Sequence, residues 1–260
     1  MPGFREKTSK FFALRGQSGA AGGQAPSYLE IACATVLGVE VEKLAPARRE
    51  LDVFHGSVPW GDEPCPLWVV ETFYGSVVHL QAPLLEAVQA ALDAHPDELV
   101  LSTSGRSRLL TAVLQLTPIS SLWENMNLYT DRAHFVPWQQ HPVVALGGRS
   151  VWLRWIRTQE PVGEDQMEAS FGVKVGGQVV SYADVKRRTD QACSIGCWTD
   201  PPYRNRGMGR SAVSAATRHV LATGRVPLYI TDKGNAASLA LCQSLGYQKF
   251  GEDLYCFRPK

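Results

Sequence analysis

Apolar residues recur at helical spacing in SYLEIACATVLG (27–38) and again in APLLEAVQAALDAH (82–95). In the second stretch Leu84, Leu85, Val88 and Leu92 make one stripe, and Pro83 suits a first helical turn. Between the two, LWVVETFYGSVVHLQ (67–81) is dense in β-branched and aromatic residues and predicts strand, with a break at Gly75. ELVLSTS (98–104) predicts a short buried strand and RSRLLTAVLQL (106–116) another helix. The first half therefore alternates strand and helix, as an α/β or α+β unit does. From 118 to 166 the pattern is poor. There VVALGG (143–148) and VWLRWIR (151–157) predict strands, and EPVGEDQ (160–166) predicts a loop.

The last hundred residues are more regular. ASFGVKVGGQVVSYADV (169–185) alternates about Gly176-Gly177 and predicts a hairpin. ACSIGCWT (192–199) predicts a third strand, ended by Asp200 and two prolines. After a glycine-rich turn, Val213, Ala216, Val220 and Leu221 form the apolar face of a helix that Gly224 stops. VPLYITD (226–232) is strand-like. NAASLALCQSLGY (235–247) predicts a helix with Asn235 at its cap and Leu239, Cys242 and Leu245 along one face. FGEDLYCFRP predicts a closing strand, and no repeat of solenoid period is present.

Composition narrows the class. A chain of 260 residues accommodates two modest domains. Apolar content of 45% and charged content of 20% lie in the soluble globular range. No apolar run approaches the ~18 residues that a membrane helix needs. A net charge of +1 leaves nucleic-acid binding to a local patch alone. The cysteines Cys33, Cys65, Cys193, Cys197, Cys242 and Cys256 form no CxxC pair and have no histidine partners at zinc spacing, so no metal is expected. Cys193 and Cys197 share a strand face and read as small core residues. Nothing demands disulfides, which points to a reducing, cytoplasmic setting. MPGFREKTSKFFALRG lacks the apolar run and cleavage pattern of a signal peptide, and GQSGAAGGQAPS is rich in small residues. Residues 1–26 are therefore expected to form a disordered lead-in.

The order strand, Pro-Pro, YRNRGMGR (203–210), helix carries the candidate chemistry. Glycines let backbone approach a ligand closely, and a helix N-terminus leaves N–H groups unpaired with partial positive charge. Together they make an anion cradle suited to phosphate, to which Arg204, Arg206 and Arg210 can add charge-assisted hydrogen bonds. The spacing is neither that of a Walker A loop nor that of a Rossmann fingerprint.

Arg204-x-x-Gly207-x-Gly209 resembles the R/Q-x-x-G-x-G/A motif of the GCN5-related N-acetyltransferases (GNAT). NAASLALCQSLGY is similar to that family's downstream helix, N-x-x-S/A-x-x-L-Y-x-x-x-G-F, with Asn235, Ser238, Leu241, Gly246 and Tyr247 in register. The likeness spans roughly residues 168 to 258. It implies an α/β (α+β) fold with a mixed, mostly antiparallel sheet flanked by helices over 141–260. A second α/β domain over 27–140 would precede it, and its strand–helix run allows a degenerate copy of the same fold. The resemblance also implies acetyl-CoA as acyl donor. Its pyrophosphate would be held by Arg204, Asn205, Arg206, Gly207, Met208, Gly209 and Arg210. Its pantetheine arm would add alongside Cys197, Trp198 and Thr199 as an extra strand, and Asn235 and Ser238 would complete the site. The implied reaction is direct attack of a primary amine, on a small molecule or peptide, in a ternary complex. Neither nucleic acid nor membrane is implied as a partner, and the chain is expected as monomer or homodimer.

Two departures bear on catalysis. The family's helix tyrosine, which protonates the departing thiolate, is replaced by Cys242, a candidate general acid; Tyr247 and Tyr255 are alternative donors. The glutamate often found on the cofactor strand is missing from ACSIGCWT, which leaves Asp184 as candidate base, with Asp190, Glu124, His134 and His141 as further acids and bases. Trp123, Trp138, Trp152, Trp155 and Trp198 are expected around the acceptor side. The departures keep open a second reading, a CoA-binding sensor without turnover. A third, an arginine-rich nucleic-acid patch, is disfavoured by the near-neutral charge.

Overall fold

The computed structural model describes residues 26–44, 48–54, 58–60, 63–146 and 167–259. The expected lead-in over most of 1–26, the strand expected at 151–157, the loop at 160–166, Trp152 and Trp155 lie outside them.

Helix α1 (Tyr28–Leu37) begins at a capping box: Glu30 N–H donates to Ser27 Oγ at 3.2 Å and Ser27 N–H donates to the Glu30 carboxylate at 2.7 Å. Strand β1 (Arg48–Phe54) and the short hairpin β2 (Val58–Trp60) and β3 (Glu63–Cys65) follow. The predicted break at Gly75 is a tight connection between β4 (Leu67–Thr72) and β5 (Gly75–Gln81). A single 3₁₀ turn over Ala82–Leu84 leads into α2 (Leu85–Asp93).

Residues 98–104, expected as strand, are a turn leading into α3 (Thr103–Leu114). The run Leu99-Val100-Leu101 has strand composition. Its backbone is captured instead by the Glu71 carboxylate, which accepts from Val100 N–H at 2.7 Å and Leu101 N–H at 3.0 Å. Ser102 then caps the helix by accepting from Gly105 N–H at 3.0 Å. Local side-chain acceptors thus outcompete a sheet ladder at this point.

The remaining elements are β6 (Ser121–Tyr129), β7 (Val143–Leu146), β8 (Met167–Val175), β9 (Gln178–Arg187), β10 (Ala192–Thr199), α4 (Met208–Ala222), β11 (Val226–Asp232), α5 (Ala236–Ser244) and β12 (Gln248–Phe257). Gly176 and Gly177 take φ of 57° and 81°, the mirror-image turn that suits the twist of the β8–β9 hairpin.

Among the described residues ten strands form one sheet in the order β1-β5-β4-β12-β6-β11-β10-β9-β8-β7. The pairs β1–β5 and β10–β11 are parallel, and the other neighbours are antiparallel. The sheet is continuous across residue 140, because β12 pairs with β4 on one side and β6 on the other. Helices α2 and α3 close a core with Leu67, Val69, Val78, Leu80, Leu254 and Cys256. Helices α4 and α5 close another with Leu128, Ala183, Val185, Cys193 and Ile195. Even-numbered residues of β6 serve both: Leu128 joins the second core, while Glu124 and Leu122 stand opposite Leu254 and Cys256. All four helices therefore lie on one face of the sheet. Helix α1 packs on the other, against Tyr129, Ala192, Val226, Leu228 and Phe250. Among the described residues no helix is long and apolar enough to cross a membrane.

Candidate active site

The parallel pair β10–β11 holds over only Ala192–Ser194 with Val226–Leu228. Past that point each strand is held from its outer side alone, β10 by β9 and β11 by β6. The inner edges of Ile195–Thr199 and Tyr229–Asp232 diverge into a fork. An unpaired strand edge is a template for an extended arm, which can add main-chain hydrogen bonds as an extra strand would.

The glycine turn stands at the open end of this fork. Pro201–Tyr203 make one 3₁₀ turn, and the chain then passes through Asn205 (φ 58°) and Gly207 (φ 78°) into α4. Asn205 is the one non-glycine residue with positive φ among the described residues, a conformation asparagine tolerates well. Gly207 is the N-cap and brings no side chain to the first N–H groups of α4, which keep their positive end for an anion. A side chain at Gly209 would meet Thr199 Oγ1 at 3.0 Å and Cys197 Sγ at 3.4 Å, so glycine there lets the helix start pack directly on β10. Fork, bare turn and helix start fit an extended diphosphate ligand.

Residues 123–247 match the sequence profile of the acetyltransferase (GNAT) family. This segment is a GNAT-family acetyltransferase domain. The family transfers acyl groups from acetyl-CoA. The match begins within β6. Among solved structures, similarity is found to a protein assigned to the GNAT acetyltransferases in Novosphingobium aromaticivorans, at 21% identity over 55% of this chain and 67% of that one, TM-score 0.46. A GNAT acetyltransferase from Colwellia psychrerythraea is 9% identical over 70% of this chain and 76% of that one, TM-score 0.45. Curated proteins yielded no match.

Within the GNAT domain the three turn arginines part company. Arg204 and Arg206 are exposed; Arg204 Nε donates to Thr199 O at 3.0 Å, and the Arg206 guanidinium sits 5.8 Å from the Tyr203 ring centre. Arg210 turns away from the cradle. It lies 3.8 Å over the Trp138 ring and donates to Ser244 O at 2.8 Å, at the C-terminal end of α5. Arg210 thus ties α4 to α5.

Residues 131–141 run along α4 without forming a helix. Trp138 N–H donates to Ser214 Oγ at 2.8 Å, and the N–H groups of Gln140 and His141 donate to Ser211 Oγ at 3.2 and 3.3 Å. His141 Nε2 lies 2.6 Å from Arg206 O, so this histidine braces the glycine turn. Any side chain at Gly207 would strike Gln140. At the other end, His134 pairs with Asp131 at 2.8 Å, and its carbonyl occupies the space a side chain at Gly246 would need. That close approach explains the glycine of the downstream motif.

Asp184 stands in register with Gly196 on β10 and Ser170 on β8. All three face away from α4, since Ala183 and Val185 point into its core. Ser170 Oγ donates to Asp184 at 2.5 Å, and burial raises the carboxyl above the usual range, the hydrogen bond opposing. The space over Gly196 is open. Glu124 lies elsewhere, ion-paired to Arg106 and to Lys233. Asp190 is exposed in the β9–β10 turn.

Asn235 caps α5 by accepting from Ser238 N–H at 3.1 Å. Cys242 is fully buried in the core beneath α4 and α5, and burial holds its thiol far above the ordinary value. Cys197 packs against the same core with its thiol pushed up to about 12, so both sulfurs stay protonated. Among the described residues Trp123, Trp138 and Trp198 do not gather in one pocket. Trp123 packs on Phe257 at 4.8 Å, Trp138 lies along α4, and Trp198 lies beside Tyr182 at 5.8 Å.

Sequence reasoning passed over Tyr229. It is the first residue of β11 past the last pair with β10, and its hydroxyl lies 3.2 Å from Ser238 Oγ in the first turn of α5. VPLYITD marked a strand; the residue at which its parallel pairing would stop left no mark in the sequence.

Proposed function

We propose that the chain moves an acetyl group from acetyl-CoA to a primary amine of a small molecule or peptide, by direct attack in a ternary complex. The observation that carries this reading is the fork between β10 and β11 with a bare glycine turn and helix N-terminus at its mouth. The backbone edge at Cys197, Trp198 and Thr199 takes the pantetheine arm. The amides from Arg204 to Gly209, with the guanidinium groups of Arg204 and Arg206, take the diphosphate. Asn235 and Ser238 flank the same opening from α5.

The amine approaches over Gly196, where the missing side chain leaves room beside Asp184. A carboxylate raised by burial is a better proton acceptor at neutral pH than an exposed one, and Asp184 takes the ammonium proton. Orientation supplies much of the rate, because holding two reactants together can lower a barrier by ~7–11 kcal/mol.

Calorimetric titration with acetyl-CoA, followed by release of free thiol against a panel of primary amines, tests the proposal. Binding with thiol release is expected. Binding without release for any amine supports a CoA-sensing module instead, a reading favoured by the burial of Cys242 at the family's acid position. Absence of binding overturns both.

A further inference from the structure

The departing sulfur needs a proton, and Cys242, its thiol raised by burial, is a weak acid to supply it. Its thiol is fully buried among Val213, Leu245 and Tyr247. Tyr182, opposite Trp198, lies on the Asp184 face of the sheet, away from α4 and α5, and geometry separates three further tyrosines. Tyr247 Oη is engaged 2.7 Å from Thr217 Oγ1 inside the core, at the base of α4. Tyr255 lies on the opposite face of the sheet, stacked 5.3 Å from Trp68, with β6 and β11 between it and β10. Tyr229 is left. It sits where the strands separate, on the same face as α4 and α5, and packs with Cys197 and Leu241 in the core that floors the fork.

We infer that Tyr229, coupled to the Ser238 hydroxyl, returns the proton to the departing CoA sulfur, in place of the helix residue at position 242. The inference rests on the proposed acetyl transfer and names a group of that same site. As the carbon–sulfur bond breaks, its electron pair stays on sulfur. The Tyr229 O–H bond breaks and an S–H bond forms. The phenolate recovers a proton from Ser238 Oγ, 3.2 Å away, and Ser238, half-exposed in the first turn of α5, recovers its own from water. Burial raises the Tyr229 phenol well above its ordinary value, so it stays protonated until a strong base forms beside it. Asp184 faces the other side of the sheet. Acid and base thus address the fork from opposite faces and cannot neutralise one another.

The test uses the full chain with CoA and desulfo-CoA as probes, and needs no acceptor. Calorimetry first establishes that wild-type protein binds CoA; failure here removes the cofactor reading and the inference with it. The ultraviolet absorbance of the thiolate is then followed against pH for bound CoA, with desulfo-CoA as blank. A phenol donating to the thiolate favours the charged form. The bound thiol is expected to be about tenfold more acidic in wild type than in Tyr229→Phe. Ser238→Ala, which keeps the phenol but removes its relay, is expected to show a smaller change in the same direction and serves if the phenylalanine variant does not fold. CoA bound by both proteins with identical thiol titrations overturns the inference and leaves the cofactor reading intact. A shift lost in Cys242→Ser but kept in Tyr229→Phe overturns it as well.

Discussion

Among the described residues the sheet contains two parallel strand pairs, and they behave differently. β1 and β5 stay in register through seven residues, Arg48–Phe54 with Gly75–Gln81. β10 and β11 hold for three and then part. Each pair is followed along the chain by helices on the same face of the sheet. Only the second has a glycine turn between strand and helix. A closed ladder satisfies its own backbone groups and leaves nothing for a ligand, whereas an open one must find partners in water or in a bound arm. On the proposed reading the first pair buttresses the sheet and the second carries the chemistry. One feature of the first half shows how it is secured: the Glu71 carboxylate accepts two turn amides and anchors the start of α3.

The largest effect that could break this contrast comes from the turn. Gly207→Glu forces a side chain onto a backbone at φ 78°, against Gln140, and brings negative charge to the helix start. Backbone strain at the left-handed φ and the added negative charge do most of the damage, since the tip of the Gln140 side chain can move aside. Affinity for acetyl-CoA, read by calorimetry, is expected to fall by about 100-fold or more, with modest loss of stability. Unchanged affinity would remove the turn from the cofactor site.

Next in size is Glu71→Ala in the first half. It leaves two amides without their charged acceptor, at roughly 1.5–3 kcal/mol for each such bond. Denaturant unfolding should show a loss of about 3–6 kcal/mol, less what removing the buried carboxylate's desolvation cost returns, while CoA affinity stays within twofold or so of wild type. A parallel fall in affinity would mean that the two halves are not separable in function.

The narrowest effect, confined to a pH window, sits at the seam. Asp253 on β12 is buried and accepts from Asn127 Nδ2 on β6 at 2.5 Å. Burial raises its carboxyl from 3.8 to about 7. The folded state then binds more protons than the unfolded chain between those values. The contribution to stability is complete below pH 4 or so and is lost as pH rises through about 7. Asp253→Asn removes this dependence. Thermal unfolding across that window should show wild type losing ground to the variant, by at most about 1.4 kcal/mol per pH unit. Parallel curves would place the charge change elsewhere.

Much of this was legible in the chain itself. Periodicity and turn residues marked the hairpin at Gly176-Gly177, the cap at Asn235 and the strand–turn–helix around Gly207, because each depends on neighbours within a few residues. Local pattern failed at 98–104, where a strand-like run was claimed by a carboxylate 29 and 30 residues upstream. It was also silent on residues 131–141, whose course is decided by Ser211 and Ser214 on a helix not yet made when those residues are read.

The amino-acid sequence by itself determined that this protein has a glycine turn at 204–209 opening a helix and a second helix capped at Asn235, since φ freedom and capping are properties of short segments. Tertiary structure alone decided that β6 lies between β11 and β12, that Arg210 serves Ser244 and Trp138, and that Tyr229 stands at the parting of the strands. Those outcomes follow from which strands pair and for how long, and pairing is set by distant partners competing for the same backbone groups.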